Sequence, residues 1–162
     1  MEETNRKVLN FEIKKTRYYL GNSDRFVEVD EGDMNFPVRI KQIRKEINDY
    51  IDRLKAKYGI KDIDDIANVK TGNEEEELQI ISDTDLFIKD RLNYAFDYDV
   101  SSAAFGSASC LSVTENGEYY FENFLNSILP VIEATFGVRI DKLSVRIKKY
   151  TDKKGLHPAF KK

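Results

Sequence analysis

A stripe of apolar side chains between residues 36 and 59 constrains the fold of this chain more than any other feature. Its members recur every three or four residues, which places them on one face of a helix: Ile40, Ile43, Ile47, Ile51, Leu54 and Tyr58. The segment 33–35 offers helix caps, Pro37 suits a first helical turn, and Gly59 can end the helix. The segment therefore predicts a long amphipathic helix.

A β-hairpin is predicted before this helix, over residues 8–29. Val8, Phe11 and Ile13 lie close to the alternation of a strand, and residues 25–29 resume an extended pattern. Residues 21–24, Gly-Asn-Ser-Asp, have the composition of a turn between the two strands.

A second long helix is predicted to begin after Asn73, whose side chain can cap a first turn formed by residues 74–77, all Glu. Its stripe runs to about Phe96, and residues 82–85 could divide it because they favour caps over helix interiors. The stripe comprises Leu78, Ile81, Ile88, Leu92 and Ala95. Residues 60–67 have the spacing of a short helical turn. Residues 97–118 are predicted to be a loop rich in small side chains.

The densest aromatic and apolar segment, residues 119–136, predicts another helix, which Pro130 should kink or divide. Apolar side chains cover more of its circumference than one buried stripe needs, so it is either central in the fold or presents a second face to another chain. We expect residues 119–129 to include the partner-facing aromatics and residues 131–136 to be chiefly core. Residues 138–150 fit a helix slightly better than a strand.

These patterns predict a mainly α-helical chain with a small N-terminal β-hairpin, an α+β single-domain helical bundle. Residues 1–35 form the hairpin region, 36–150 the helical body and 151–162 a basic tail. The length of 162 residues suits one domain with a real core. No apolar run approaches the ~18 residues of a membrane-spanning helix. Cys110 is the only cysteine, which excludes an intrachain disulfide and fits the cytoplasm.

Charge is divided unevenly along the chain. Residues 1–138 carry 17 Lys and Arg against 27 Asp and Glu, a net of −10, whereas residues 139–162 carry 9 against 2, a net of +7. The basic end is either a solvated terminus or a contact for nucleic acid, an acidic partner or the acidic body itself. Its candidate contact residues are Arg146, Lys148, Lys149, Lys153 and Lys154.

Enzyme chemistry has little support in the sequence. The segment 106–110, Gly-Ser-Ala-Ser-Cys, lacks the second glycine of a nucleophile elbow, and the only histidine, His157, lies in the predicted tail. One histidine and one cysteine exclude the usual zinc ligand sets, and the glycines form no phosphate-binding loop. We therefore predict no catalytic residue, no metal and no cofactor.

A sequence of four motifs resembles a known family. They are a helix ending in residues 94–97, a loop containing Ala104-Phe-Gly, the segment Tyr120-Phe-Glu-Asn-Phe-Leu opening an apolar helix, and a basic stretch at 146–151. Over residues 87–150 this order resembles the small tail assembly chaperones of phages and prophages of low-GC Gram-positive bacteria.

The resemblance implies a non-enzymatic chaperone or scaffold of the bacterial host cytoplasm. Such proteins are thought to coat aggregation-prone parts of the tape-measure protein and to bring tail-tube subunits to it. The implied client contacts here are Phe105, Tyr119, Tyr120 and Phe124. A homo-oligomer is expected, in which the basic end meets the acidic face of the next copy. The alternative is a small nucleic-acid-associated regulator that uses the basic C-terminal segment.

Overall fold

The computed structural model describes residues 4–60, 66 and 69–143. This part of the chain is mainly helical with a two-stranded antiparallel N-terminal hairpin, which confirms the predicted fold class. The elements are β1 (Lys15–Tyr19), β2 (Phe26–Asp30), α1 (Phe36–Tyr58), α2 (Glu74–Phe96), α3 (Val100–Phe105) and α4 (Tyr120–Phe136). Within the described residues, none of the helices is both long and apolar enough to cross a membrane.

The hairpin forms around the predicted turn. Its register pairs Lys15 with Asp30 at one end and Tyr19 with Phe26 at the other. Gly21 takes a positive φ of 58°, and the Leu20 N–H donates to the Arg25 carbonyl at 2.8 Å, which closes the turn. Val27 and Val29 of β2 are buried. The alternation of β2 therefore fastens the hairpin to the helical core through one face.

The first strand is shorter than predicted, because residues 8–13 lie outside it. The last hydrogen bond between the two sides of the hairpin joins the Glu31 N–H to the Lys14 carbonyl at 2.7 Å. Beyond this bond, the segment that follows β2 turns away at Gly32, whose N–H donates to the Asp30 carboxylate. Among the residues that the structure describes, 8–13 consequently have no neighbouring strand, although their alternation resembles that of one.

The helix α1 confirms the sequence pattern closely. Pro37 lies in its first turn, and Gly59 ends it with a φ of 65° while its N–H donates to the Lys55 carbonyl. The stripe residues Ile40, Ile43, Ile47 and Ile51 are all buried, with Leu54 and Tyr58 packed at the edge of the core. The Asn35 side chain makes no capping bond; the Asp33 carboxylate instead accepts the Asn35 N–H at 2.9 Å.

The helix α2 is continuous through residues 82–85, and its buried face differs from the predicted stripe. The Thr84 hydroxyl is buried and donates to the Ile80 carbonyl at 2.7 Å, so this polar side chain is satisfied inside the helix. Asn73 caps the first turn as predicted, since its side chain accepts the Glu76 N–H. The buried residues are Ile80, Thr84, Ile88, Leu92, Ala95 and Phe96. Leu78, predicted in the stripe, is exposed.

Packing against α1 selects this face of α2. Arg91 pairs with Glu46 across the two helices at 3.2 Å, and Tyr50 stacks on Phe87 with ring centroids 4.3 Å apart. These contacts orient α2 so that the 80-84-88 row points inward and Leu78 points outward.

The predicted loop 97–118 contains the six-residue helix α3. Asp99 caps it by accepting the Ser102 N–H at 3.3 Å and the Ser102 hydroxyl at 2.7 Å. Hydrogen bonds from Ser102 are the main reason that the pKa of Asp99 is lowered, so its carboxylate stays charged at this helix start. The small side chains of α3 form no long apolar stripe, which explains why periodicity missed it.

The helix predicted over residues 138–150 is not present in its first part. Residues 138–143 form neither helix nor strand, but Ile140 and Leu143 are buried. The Leu143 N–H donates to the Asn126 side chain at 2.9 Å, and Arg44 donates to the Lys142 carbonyl. These bonds hold the segment against α1 and α4. Residues 144–162, and most of the predicted turn at 60–67, lie outside the described residues.

Candidate functional site

The start of α4 is held by the preceding loop. The Phe121 N–H donates to the Cys110 carbonyl at 3.1 Å, and the Tyr120 N–H donates to the Ser112 carbonyl at 2.7 Å. Glu122 is fully buried, and its carboxylate accepts the Tyr119 N–H at 3.1 Å. A carboxylate in the first turn satisfies a backbone donor and complements the positive end of the helix. These bonds fix the direction in which the aromatic side chains of α4 point.

Pro130 lies inside α4, which remains one helix from Tyr120 to Phe136. Its ring lies on the exposed side. The prediction that residues 131–136 are chiefly core is wrong. The first half of α4 is the more buried part, with Phe121, Leu125, Ile128 and Leu129 in the core. Between residues 131 and 136 only Ile132 is buried. The first half also contacts neighbouring helices, since Phe96 of α2 and Phe105 of α3 pack on Phe124.

A column of aromatic rings runs from the core to the surface beside the hairpin. Phe36 contacts Phe96 edge to face at 5.0 Å between ring centroids, and Phe96 lies 5.5 Å from Phe124. Phe105 of α3 then contacts Phe124 edge to face at 5.8 Å and stacks on Tyr120 at 6.4 Å. The column links α1, α2, α3 and α4, and edge-to-face packing of this kind stabilises beyond area burial alone.

A groove of about 460 Å³ opens at the outer end of this column. Phe105, Tyr120 and Phe124 line one side together with Ala104, Thr114, Asn123 and Ser127, and the hairpin end supplies Tyr19, Leu20, Gly21 and Arg25. Tyr19 and Leu20 add apolar surface on the side facing α4. The groove thus combines an aromatic floor with polar side chains in its walls, and a concave surface of this size can take apolar ligand groups on that floor.

The structure brings together three of the four predicted contact residues and leaves one out. Tyr119 is 1% exposed and stacks on Phe121 inside the core, so it does not line the groove; its role as a client contact stays a prediction. Phe105 and Phe124 are also buried, at 7% and 6%, and contribute only the floor of the groove. Tyr120 is half-buried and lines the wall. Their burial follows from the column, in which each ring packs on the next.

The hairpin side of the groove was missed by sequence reasoning. Tyr19 is 58% exposed and packs edge to face on Phe26, whose other face lies under the Arg17 guanidinium at 4.4 Å. Arg25 donates to the Ala103 carbonyl at 2.9 Å, which fastens the hairpin end to α3. No local pattern indicates this contact, because the two segments are 78 residues apart.

A polar cluster around Cys110 has a structural role. The Cys110 N–H donates to the Asp85 carboxylate at 2.7 Å, and Asp85 pairs with Lys89 at 3.1 Å. The thiol is buried, and burial raises its pKa far above the ordinary range. A protonated, buried thiol is a poor nucleophile. The cluster therefore ties the 106–112 loop to α2.

A second small cavity, of about 60 Å³, lies between β2 and the ends of α1 and α2. Arg39 pairs with Asp33 at 2.6 Å and donates to the Ala95 carbonyl at 2.9 Å. The Tyr98 hydroxyl accepts the Glu28 N–H at 2.8 Å, and burial raises the pKa of Tyr98. These bonds join the hairpin to both helices, so the polar groups of this cavity are used in holding the fold.

The predicted basic contacts Arg146, Lys148, Lys149, Lys153 and Lys154 lie outside the described residues. Within the described part of the chain, no three His, Cys, Asp or Glu side chains cluster as metal ligands would. The candidate site is therefore the groove between the hairpin end, α3 and α4. No family model, curated protein or solved structure matches this chain.

Proposed function

We propose that this protein is a non-enzymatic assembly chaperone that binds an apolar segment of a phage tail protein in the aromatic groove. The client implied by the sequence resemblance is the tape-measure protein or the tail-tube protein. The observation that carries the proposal is the groove itself, in which Tyr19 of the hairpin and Tyr120 and Phe124 of α4 line one space of about 460 Å³.

The groove fits an apolar peptide better than a small polar substrate. Its floor consists of buried rings that the column holds in place, so binding costs little reorganisation of the protein. Its exposed rim offers aromatic surface from Tyr19 and polar side chains from Asn123 and Ser127. Apolar faces of helices and alternate side chains of extended segments are recognised by such grooves.

The charge of the body supports the same role. Charged side chains make up 34% of the chain and its net charge is −3, and a charged surface with a net charge away from zero keeps an assembly from precipitating. A chaperone that covers an aggregation-prone client needs this combination of a local apolar site and a highly charged remainder.

Co-expression with an aggregation-prone fragment of a tape-measure protein tests the proposal. We expect the wild-type protein to raise the soluble fraction of the fragment severalfold. Ser127→Glu places a charge at the groove and should abolish the gain, since burying a carboxylate against apolar client surface is costly. Ser82→Glu, on the exposed part of α2, is the matched control and should retain the gain.

Two outcomes would count against the proposal. One is a fragment whose solubility does not change when the folded wild-type protein is present. The other is an equal gain from the wild-type protein and Ser127→Glu, which would place client binding elsewhere on the chain.

A further inference from the structure

The segment before β1 is apolar but exposed. We call residues 4–13 the N-terminal arm. Its apolar side chains Val8, Leu9, Phe11 and Ile13 are 78%, 86%, 80% and 54% exposed. They fall within six successive positions, whereas the other large exposed apolar side chains of the described chain are scattered over several elements. A contiguous apolar segment of this kind marks an interaction site.

The side-chain pattern of the arm suits a groove with an aromatic floor. Leu9, Phe11 and Ile13 alternate, so in an extended conformation these three side chains point to one side. The groove opens beside the hairpin end and is floored by aromatic rings. An extended apolar segment can place alternate side chains in such a groove while its backbone stays at the rim.

Charges at the two surfaces are also complementary. The arm carries Arg6 and Lys7 at one end and Glu12 near the other. The turn that supplies Thr114 to the groove also carries Glu115 and Glu118, whereas the hairpin end supplies Arg25. Glu115 and Glu118, beside the groove, can therefore receive the basic end of an arm, with Glu12 toward Arg25 of the groove lining, which defines one orientation.

The direction of the chain disfavours binding of the arm in its own groove. The arm enters β1 at Lys15, whereas the groove lies beyond Tyr19 at the opposite end of the strand. At about 3.3 Å per residue, these ends are ~13 Å apart, whereas Ile13 reaches only ~7 Å from Lys15. Ile13 cannot reach its own groove, and Phe11 would have to form the reversal. A second copy has no such limit.

We propose that the N-terminal arm of one copy of this chain occupies the groove between hairpin and α4 of a second copy. Reciprocal exchange then closes a two-fold dimer in which both apolar surfaces are covered. This proposal does not rest on the proposed chaperone function. A client that enters the groove competes with the arm, so self-association and client binding exclude each other at one site.

Disulfide trapping between two different variants tests this contact. One preparation carries Phe11→Cys in the arm and the other carries Ser127→Cys at the groove; both positions are exposed. After mixing under mild oxidation, we expect a covalent heterodimer that joins the two variants in high yield. The native Cys110 is buried and stays inert. Ser82→Cys on α2 replaces Ser127→Cys as the matched control and should give at least tenfold less heterodimer.

The outcomes of the trapping experiment separate the alternatives. Equal yields with Ser127→Cys and Ser82→Cys would overturn the proposal, because random collision would then explain the product. The double variant Phe11→Cys/Ser127→Cys, oxidised at high dilution, tests the other alternative. An intramolecular disulfide there, without heterodimer on mixing, would place the arm in its own groove and also overturn the proposal.

Self-association of unmodified protein gives a second, non-covalent measurement. Sedimentation equilibrium should show a dimer whose dissociation constant rises at least about a hundredfold in Phe11→Ser, because reciprocal exchange buries two copies of this aromatic side chain in each dimer. Leu86→Ser, which also removes an exposed apolar side chain, should leave the constant unchanged. A monomer at all concentrations, or equal effects of both substitutions, would contradict the arm-in-groove contact. Neither result depends on whether a client fragment is solubilised.

Discussion

The start of α4 and the N-terminal arm are both rich in large apolar side chains, yet those of α4 are mostly buried and those of the arm are exposed. Phe121 at the start of α4 is fully buried, whereas Phe11 of the arm is 80% exposed. The α4 segment enters between α2, α3 and the preceding loop, and Glu122 satisfies its first backbone donor. The arm continues past the last hydrogen bond of the hairpin. Apolar side chains thus favour burial, but a segment is buried only where neighbouring elements are placed to cover it.

Alanine at matched positions gives the largest test of this contrast. Phe121→Ala should lower the free energy of unfolding by about 3–5 kcal/mol, because it removes a fully buried ring and leaves a cavity. Phe11→Ala should change it by less than about 0.5 kcal/mol, since the ring is exposed in a single chain. Urea unfolding measures both, at a concentration low enough to keep the protein monomeric.

Similar losses in the two variants would break the comparison, because the arm would then be packed within its own chain. A loss for Phe11→Ala that appears only at high protein concentration would instead agree with the proposed contact between copies.

Two glutamates sharpen the comparison at the level of polar groups. Glu122→Ala should cost about 1–3 kcal/mol, because the buried Tyr119 N–H loses the carboxylate that accepts it. Glu12→Ala in the exposed arm should cost less than about 0.5 kcal/mol. Thermal unfolding monitored by circular dichroism would measure the difference. Equal costs would show that the burial of Glu122 has no energetic consequence.

A smaller effect is expected at the cap of α3, the helix that holds Phe105 against α4. The pKa of Asp99 is below its ordinary value of 3.8. Its stabilising contribution is therefore complete above that value and is lost as the pH falls through the lower, folded-state pKa. Asp99→Asn keeps a good cap but removes the titration, so its stability should fall less steeply than that of wild type below about pH 4.

Acid unfolding followed by tyrosine fluorescence measures these slopes. Asp52→Asn, at an exposed position of α1, is the control and should retain the wild-type slope in this range. An Asp99→Asn slope identical to that of wild type would contradict a charged cap. An effect of Asp99→Asn that is confined to α3 would agree with the comparison of α4 with the arm, since the arm would be unaffected.

Local chemistry was enough to predict several elements. Pro37, the stripe from Ile40 to Ile51 and Gly59 specify α1 without help from the rest of the chain. Asn73 and the glutamates after it specify the start of α2, and Gly21 specifies the hairpin turn. Each of these signals acts within a few residues, through backbone donors, helix dipole or a positive φ.

Other features depended on contacts between distant segments. The buried row of α2 passes through Thr84 because α1 packs there, and a hydroxyl that bonds to Ile80 makes this possible. The groove needs Tyr19 and Tyr120 to face each other across a sequence separation that no periodicity spans. Residues 138–143 are extended because Asn126 binds Leu143.

The sequence by itself determined that this chain has a hairpin followed by long helices, since turns, caps and apolar periodicity are local properties. It also determined that residues 119–136 form an unusually apolar helix. Only the tertiary structure decided that Tyr119 lies in the core, that Phe105 and Phe124 floor a groove, and that the arm stays uncovered. The physical reason is that burial is a property of pairs of surfaces, and which surfaces meet is settled when the whole chain packs.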